Sequence, residues 1–212
     1  MNITGTKNEV ISIDNLSDLS RCKVSIVGDS NKIIFNGRLD IRGRLSINIK
    51  ASNNTIIFDK NIIVNRNLNI SIIPAGSGAP SYSNSVYIGD NCFFNGDCSL
   101  ILAENNNAIN IGENCLLASG VDFNTSDSHP VFSLSDGKRL NVSKSINIGS
   151  HVWIGSNVHL LKGSGIGNDS VIGAHSVVTK YFNESNVALG GNPAKVIKRD
   201  VDWRQDDRIE RI

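Results

Sequence analysis

Residues 146–180 read INIGSHVWIGSNVHLLKGSGIGNDSVIGAHSVVTK. Stepping by six from Ile148 gives Ile154, Leu160, Ile166, Ile172 and Val178, aliphatic at every step. The residues that follow them are Gly149, Gly155, Leu161, Gly167, Gly173 and Thr179, mostly glycine. Four positions past the first five aliphatics stand Val152, Val158, Ser164, Ser170 and Ser176, all small or β-branched. A six-residue unit with one large and one small inward side chain is too short for a helix pair. It suits a short strand followed by a sharp turn. Three units close one triangular coil, and coils stack with parallel strands, because no single unit buries its own face. Gly and Asn at the turns tolerate left-handed backbone angles.

The same frame extends upstream. Ile88-Gly89-Asp90-Asn91-Cys92 leads to Phe94 and Leu100, and Ile111-Gly112-Glu113-Asn114-Cys115 leads to Leu117 and Phe123. Cys92, Cys98 and Cys115 take the small inward position, which reads as buried apolar packing. None of the four cysteines forms a C-x2-C pair, so a zinc ribbon is not expected. Further back, NKIIFNGRLDIRGRLSINIK (31–50) aligns with NTIIFDKNIIVNRNLNISII (54–73) at an offset of 23. Ile33, Ile34, Phe35, Leu45, Ile47 and Ile49 recur as Ile56, Ile57, Phe58, Leu68, Ile70 and Ile72. The expected fold is all-β, a parallel β-helix built as a hexapeptide-repeat solenoid. Irregular coils occupy 1–83, the regular core 84–198 and a tail 199–212. Residues 1–20 are expected to cover the open end against edge pairing.

Three segments interrupt the repeat. Pro74–Pro80 reads as a turn or loop, and Glu104-Asn105-Asn106-Asn107 extends one coil. The longest insertion, with its loop at 129–147, falls where the frame stops after Phe123 and resumes at Ile148, a stretch that contains SDSHPVFSLSDGKRLNVSKS. A loop of this length inside a strict repeat is commonly functional. The tail DVDWRQDDRIERI is charged and reads as a short helix or arm, either solvated or in a subunit contact.

Composition narrows the function. The 212 residues carry 21 Lys plus Arg against 20 Asp plus Glu, a formal net charge of +1. That balance gives no bulk electrostatic reason to expect nucleic acid or an anionic membrane as partner. No apolar run of about 18 residues predicts a membrane span. The N-terminus lacks a basic region followed by an apolar one, so the expected location is the cytoplasm and disulfides are not expected.

Four histidines are present: His129, His151, His159 and His175. His151 and His175 fall at turns and His159 at an outward strand position. His129 opens the long insertion before Pro130, among polar residues. An imidazole there suits proton removal from a hydroxyl near neutral pH. No G-x-S-x-G and no Cys beside a His offers a base-activated nucleophile, which favours direct transfer from donor to acceptor. Trp153 sits at an outward position. It suits either packing between subunits or a wall for donor or acceptor, with an N–H to donate.

These motifs give the chain a resemblance. INIGSHVWIGSNVHLLKGSGIGNDSVIGAHSVVTK, followed by NVALGGNPAKVIK, resembles the shared pattern of hexapeptide-repeat O-acetyltransferases, over about residues 84–198. SDSHPVFSLSDGKRLN is similar to the matching loop of bacterial polysialic acid (capsule) O-acetyltransferases, and more loosely to that of galactoside and maltose enzymes. The resemblance implies left-handed crossovers, against the general rule for parallel strands. It implies a homotrimer with sites in grooves between solenoids, acetyl-CoA as donor, a polysaccharide or sugar hydroxyl as acceptor, and no metal. By this likeness His129 matches the general base, through its SHP context and its 24-residue spacing to Trp153. Trp153 matches a tryptophan beside the acetyl group. Ser156, Ala174, Thr179 and Lys180 match positions along the pantetheine arm, and Lys195 and Lys198 match basic residues near the CoA phosphates. Asn124, Thr125 and Asp127 are placed on the acceptor side. Asp127 either orients the imidazole or stabilises a turn. Arg38, Arg42 and Arg44 either line a groove for a long acceptor or are ordinary surface charge.

The alternatives are another small acceptor (an antibiotic, an amino sugar or a serine) and a non-catalytic binding scaffold. A carbonic anhydrase on the same fold needs three converging histidines with two closely spaced, and no H-x4-H exists here.

Overall fold

Each hexad of the repeat becomes a strand and a corner. The computed structural model describes residues 1–12, 19–76, 78 and 81–205. Its strands fall into three eight-stranded sheets that the chain visits in turn. The first sheet includes Arg44–Ile49, Asn67–Ile73, Cys98–Ala103, Val121–Asn124, His159–Leu160 and Val177–Val178. The second includes Thr55–Phe58, Ser85–Ile88, Ala108–Ile111, Ile146–Ile148, Gly165–Ile166 and Tyr181–Phe182. The third includes Ile62–Val64, Phe93–Phe94, Leu116–Leu117, Val152–Ile154, Ser170–Ile172 and Val187–Gly190. All pairings among these strands are parallel, and the fold is the left-handed parallel β-helix. Lys195–Arg199 closes the third sheet as an antiparallel edge strand against Val187–Gly190.

The register follows the repeat. Ile33 pairs with Ile56, Phe35 with Phe58, Leu45 with Leu68 and Ile49 with Ile72, the 23-residue offset read above. Inward side chains stack in columns along the prism. Phe35, Phe58, Phe94 and Phe123 are among the largest fully buried side chains. The rings of Phe35 and Phe58 stack at 5.1 Å. Cys92, Cys98 and Cys115 are buried free thiols in the same core. The sheets run without a break from the early coils into the regular ones.

Two expectations change. The left-handed turns fall on Asn91, Asn114, His151, Asn157, Asp169 and His175, while the frame glycines Gly112 and Gly149 have ordinary backbone angles. Glycine is needed at those two because the next coil is too close. A Cβ on Gly112 would stand 2.6 Å from Ser150 N, and one on Gly149 2.4 Å from Asn168 Oδ1. The second change is at the N-terminus. Asn2–Thr4 and Glu9–Ser12 do not lie across the open end; they pair in parallel as the outermost strands of the first and second sheets. Residues 13–18 of that expected cap lie outside the described residues.

The corner from the first sheet to the second is distinct. Buried Asn31, Asn54, Asn84 and Asn107 stack there, one per coil. Asn31 Oδ1 accepts from Asn54 Nδ2 at 2.8 Å, Asn54 Oδ1 from Asn84 N at 2.9 Å, and Asn84 Oδ1 from Asn107 N at 2.9 Å. Every insertion opens from this corner: Pro74–Pro80, Glu104–Asn107 and the 129–147 stretch. Ser77, Ala79 and Pro80 lie outside the described residues. Among the described residues, no helix is long and apolar enough to cross a membrane.

Candidate active site

The long insertion is a small anchored hairpin. After Val121–Asn124 leaves the first sheet, Leu140 N donates to Val131 O at 2.8 Å and Ser133 N to Lys138 O at 2.8 Å. Phe132 and Arg139 form an antiparallel bridge between its arms. Buried Asn141 closes the base with its whole amide. Its Nδ2 donates to His129 O and to Asp127 Oδ2, both at 2.8 Å, and its Oδ1 accepts from Val131 N at 2.7 Å.

His129 is therefore fixed through its backbone. Its N–H donates to Asp127 O at 2.7 Å, and Ser128 before it sits at φ 63°. The imidazole is exposed and makes no hydrogen bond to a described residue. One side of the ring faces Gly76, where an added Cβ would stand 3.1 Å from His129 Cε1 and 3.2 Å from Nε2. The site thus presents a free ring nitrogen on a rigid corner, as a general base requires.

Asp127 does not orient that ring among the described contacts. Its carboxylate accepts from Lys162 Nζ at 2.5 Å and from Asn141. Burial pushes its carboxyl up, but Lys162 and Asn141 outweigh this and hold it below the usual range. Thr125 is fully buried; its hydroxyl accepts from Ala103 N at 3.3 Å and its carbonyl from Lys144 N at 3.0 Å. That burial puts Thr125 in the coil's own hydrogen-bond ladder. Asn124 is half-buried on the strand beside it.

Trp153 lies on the third sheet, 40% exposed. Its N–H has no hydrogen-bond partner among the described residues. The described part of the tail folds back on its own chain rather than standing free in solvent. Trp203 Nε1 donates to His151 O at 2.8 Å, and the two rings stack at 4.7 Å. Trp203 also stands 6.3 Å from Trp153, ring centre to ring centre. Residues 206–212 of the tail lie outside the described residues.

Below Trp153 the register sets a column on the same face: Trp153, Val171, Ala188, Lys198. Three strand spacings make this about 14 Å, apolar at the top and cationic at the foot. Lys195 pairs with Gly190 on that edge strand. Ser156 and Ala174 lie on the corner between the third and first sheets, and Ser156 O accepts from His175 N at 2.8 Å. Thr179 and Lys180 lie on the same corner as His129, both exposed. Lys195 and Lys198 are both exposed at that edge.

His129 occupies the corner between the first and second sheets, and Trp153 the third face opposite it. One chain does not bring them together.

Sequence reading missed Glu104, Arg139, Asn141, Lys162, Gly76 and Trp203. Asn141 reaches back 10 to 14 residues within the insertion, and the others meet partners 22 to 53 residues away, where the repeat gives no register. Arg42 pairs with Asp40 at 3.0 Å. The Arg38 side chain has no hydrogen bond or ion pair with a described residue, and it opens on a recess of about 180 Å³ shared with Asp40, Arg42 and Asn61. Arg44 lies outside that recess. No group of three or more His, Cys, Asp or Glu among the described residues is arranged to hold a metal.

The family description bacterial transferase hexapeptide (six repeats) matches residues 145–180. The chain is similar to the polysialic acid O-acetyltransferase of Escherichia coli O1:K1 / APEC, 34% identical over 104 residues, 49% of this chain and 34% of that protein. It is 32% identical over 124 residues to the polysialic acid O-acetyltransferase of Neisseria meningitidis, 53% of this chain and 58% of that protein. The chain thus spans about a third and somewhat over half of these relatives' lengths. The crystal structure of the polySia-specific acetyltransferase NeuO covers 99% of this chain and 90% of its own, at 32% identity and a TM-score of 0.74.

Proposed function

This chain belongs to the hexapeptide-repeat O-acetyltransferases, and from that premise we propose that it moves an acetyl group from acetyl-CoA to a sugar hydroxyl of a bacterial surface polysaccharide. A sialic acid polymer is the first acceptor to test, because the relatives named above act on one. The observation that carries the reading is His129: an exposed imidazole, free at its ring and fixed at its backbone on both sides.

The steps follow from the residues. His129 takes the proton of the acceptor hydroxyl as that oxygen attacks the thioester carbon, so the hydroxyl becomes a nucleophile without becoming a free alkoxide. In this reading the Trp153 N–H donates to the oxygen on which charge develops. His129 then returns the proton to the leaving sulfur. Direct transfer is favoured because the core thiols are unsuited to attack. Burial pushes Cys98 up to about 12, and hydrogen bonding to Cys115 together with burial pushes Cys92 up as well. The donor lies along the column from Trp153 to Lys198. A resident metal has no part in these steps.

The separation of His129 from Trp153 supports a homotrimer in which the base of one copy meets the donor column of the next. The Arg38 recess lies on the Trp153 face, toward the N-terminal coils, and suits the carboxylate of a long acidic polymer. A CoA-dependent reaction is consistent with a cytoplasmic site.

The test is thiol release from acetyl-CoA with polysialic acid, free sialic acid, a galactoside and a neutral polymer. Turnover on an acidic polysaccharide, lowered about 10²- to 10⁴-fold in His129→Ala with CoA binding retained, is the expected result. An undiminished rate in the variant, or no turnover with any acceptor, would remove the reading.

A further inference from the structure

One carboxylate outside the reacting set is built into the corner more deeply than coil closure demands. Glu104 is 7% exposed and sits at φ 66°, in the left-handed region that costs a residue with a Cβ. Its backbone belongs to the asparagine ladder: Glu104 O accepts from Asn84 Nδ2 and Ser81 Oγ, both at 2.9 Å. Its side chain faces the inserted hairpin. Oε2 accepts from Arg139 Nη1 at 2.9 Å, and Oε1 accepts from Arg139 Nη2 and Ser126 Oγ, both at 2.6 Å. Ser126 Oγ in turn accepts from Ser128 N at 3.0 Å, and Ser128 turns the chain into His129. On the other side, Arg139 Nη2 reaches Asn141 O at 3.4 Å, and Asn141 holds His129 O. Two routes therefore run from Glu104 to the backbone of His129, one through Ser126 and one through Arg139 and Asn141. Two non-glycine residues with positive φ, Glu104 and Ser128, lie on the first of them, where strain is retained only if neighbours over-determine it.

A buried ion pair is weak evidence of added stability, since desolvation offsets much of the attraction. Placement explains this one better. It joins the rigid ladder to the one segment that carries the base.

We propose that Glu104 and Arg139 are positioning residues for acyl transfer: together they fix the Ser126–His129 turn and the Val131–Leu140 hairpin, and so the imidazole and the wall on its acceptor side. This rests on the acetyltransferase reading above, so the test has one arm that needs no activity. Lys138 and Arg139 at the hairpin are trypsin sites. Limited trypsin digestion compares wild type, Glu104→Ala, Glu104→Gln and Arg139→Met. Faster cleavage after Lys138 in Glu104→Ala and Arg139→Met, with Glu104→Gln closer to wild type, is expected. Arg139→Met lies on the hairpin and leaves the prism core untouched should Glu104→Ala fold poorly.

The second arm measures kcat and KM with polysialic acid and acetyl-CoA. Misplacing the base predicts a kcat loss approaching about 10²-fold in Glu104→Ala, with KM for acetyl-CoA within about twofold of wild type. The double variant Glu104→Ala/Arg139→Met should be no worse than the poorer single, because the pair acts as a unit. A merely structural pair would lower the amount of folded enzyme and leave kcat per folded site and the hairpin's protection unchanged. Wild-type cleavage in both single variants, or losses that multiply in the double, would overturn the proposal. Wild type inactive on every acceptor would instead sink the acetyltransferase reading, with the digestion arm still deciding the clamp.

Discussion

His129 and the three core cysteines show how environment separates an open side chain from closed ones on neighbouring coils. The imidazole is open because its neighbours are a glycine and a backbone amide network, with no other side chain bonded to it among the described residues. Gly76 is as much part of that exposure as the histidine. Cys92, Cys98 and Cys115 are the reverse case. Their thiols point into the prism at 3.0 to 3.4 Å from the carbonyls of Gly112, Ala118 and Gly149. Burial holds Cys98 up at about 12, so essentially no thiolate forms near neutral pH. An aromatic disulfide reagent should therefore leave these three thiols unmodified in the native protein and react with them only on unfolding. Rapid native labelling of any of the three, read by mass spectrometry of the peptides, would reopen a covalent route.

At the scale of elements, the hexad frame was legible because the physical demand repeats at every coil. Ile148, Ile154, Leu160, Ile166, Ile172 and Val178 are each buried, two on each side of the prism. The 23-residue alignment of the early coils became the pairing of Ile33 with Ile56 and Leu45 with Leu68 for the same reason. What the repeat does not encode is the hairpin's attachment. Arg139 meets Glu104 at a separation of 35 residues, and nothing in either local sequence marks the other as its partner. The turn asparagines were legible as turns, but the buried ladder was not, since an Asn at a corner looks the same whether its amide faces water or the next coil. The ladder is testable. Asn54→Ala leaves the buried Asn84 N–H without its acceptor and should cost about 1–3 kcal/mol. Asn65→Ala removes only a surface amide contact with Asn95 and should stay within about 0.5 kcal/mol. Urea midpoints compare the two, and equal costs would show that the corner ladder carries no special weight.

Across the whole molecule, the three faces of the prism differ in what they offer. The corner joining the first and second sheets holds the asparagine ladder, the Glu104–Arg139 pair and His129. The third face holds the indole column, the edge lysines and, toward the N-terminal coils, the Arg38 recess. A reaction that uses both needs two copies placed side by side. Subunit mixing tests that claim most directly. His129→Ala and Trp153→Ala proteins are each impaired, and they are unfolded together, refolded as a mixture and assayed for thiol release. With the site shared between neighbours, about a quarter of the interfaces in a random mixture pair an intact His129 with an intact Trp153. Activity well above either parent refolded alone is the predicted result. A mixture that forms mixed oligomers yet stays at the parental rates would contradict it, because His129 and Trp153 would then have to serve the reaction from the same chain.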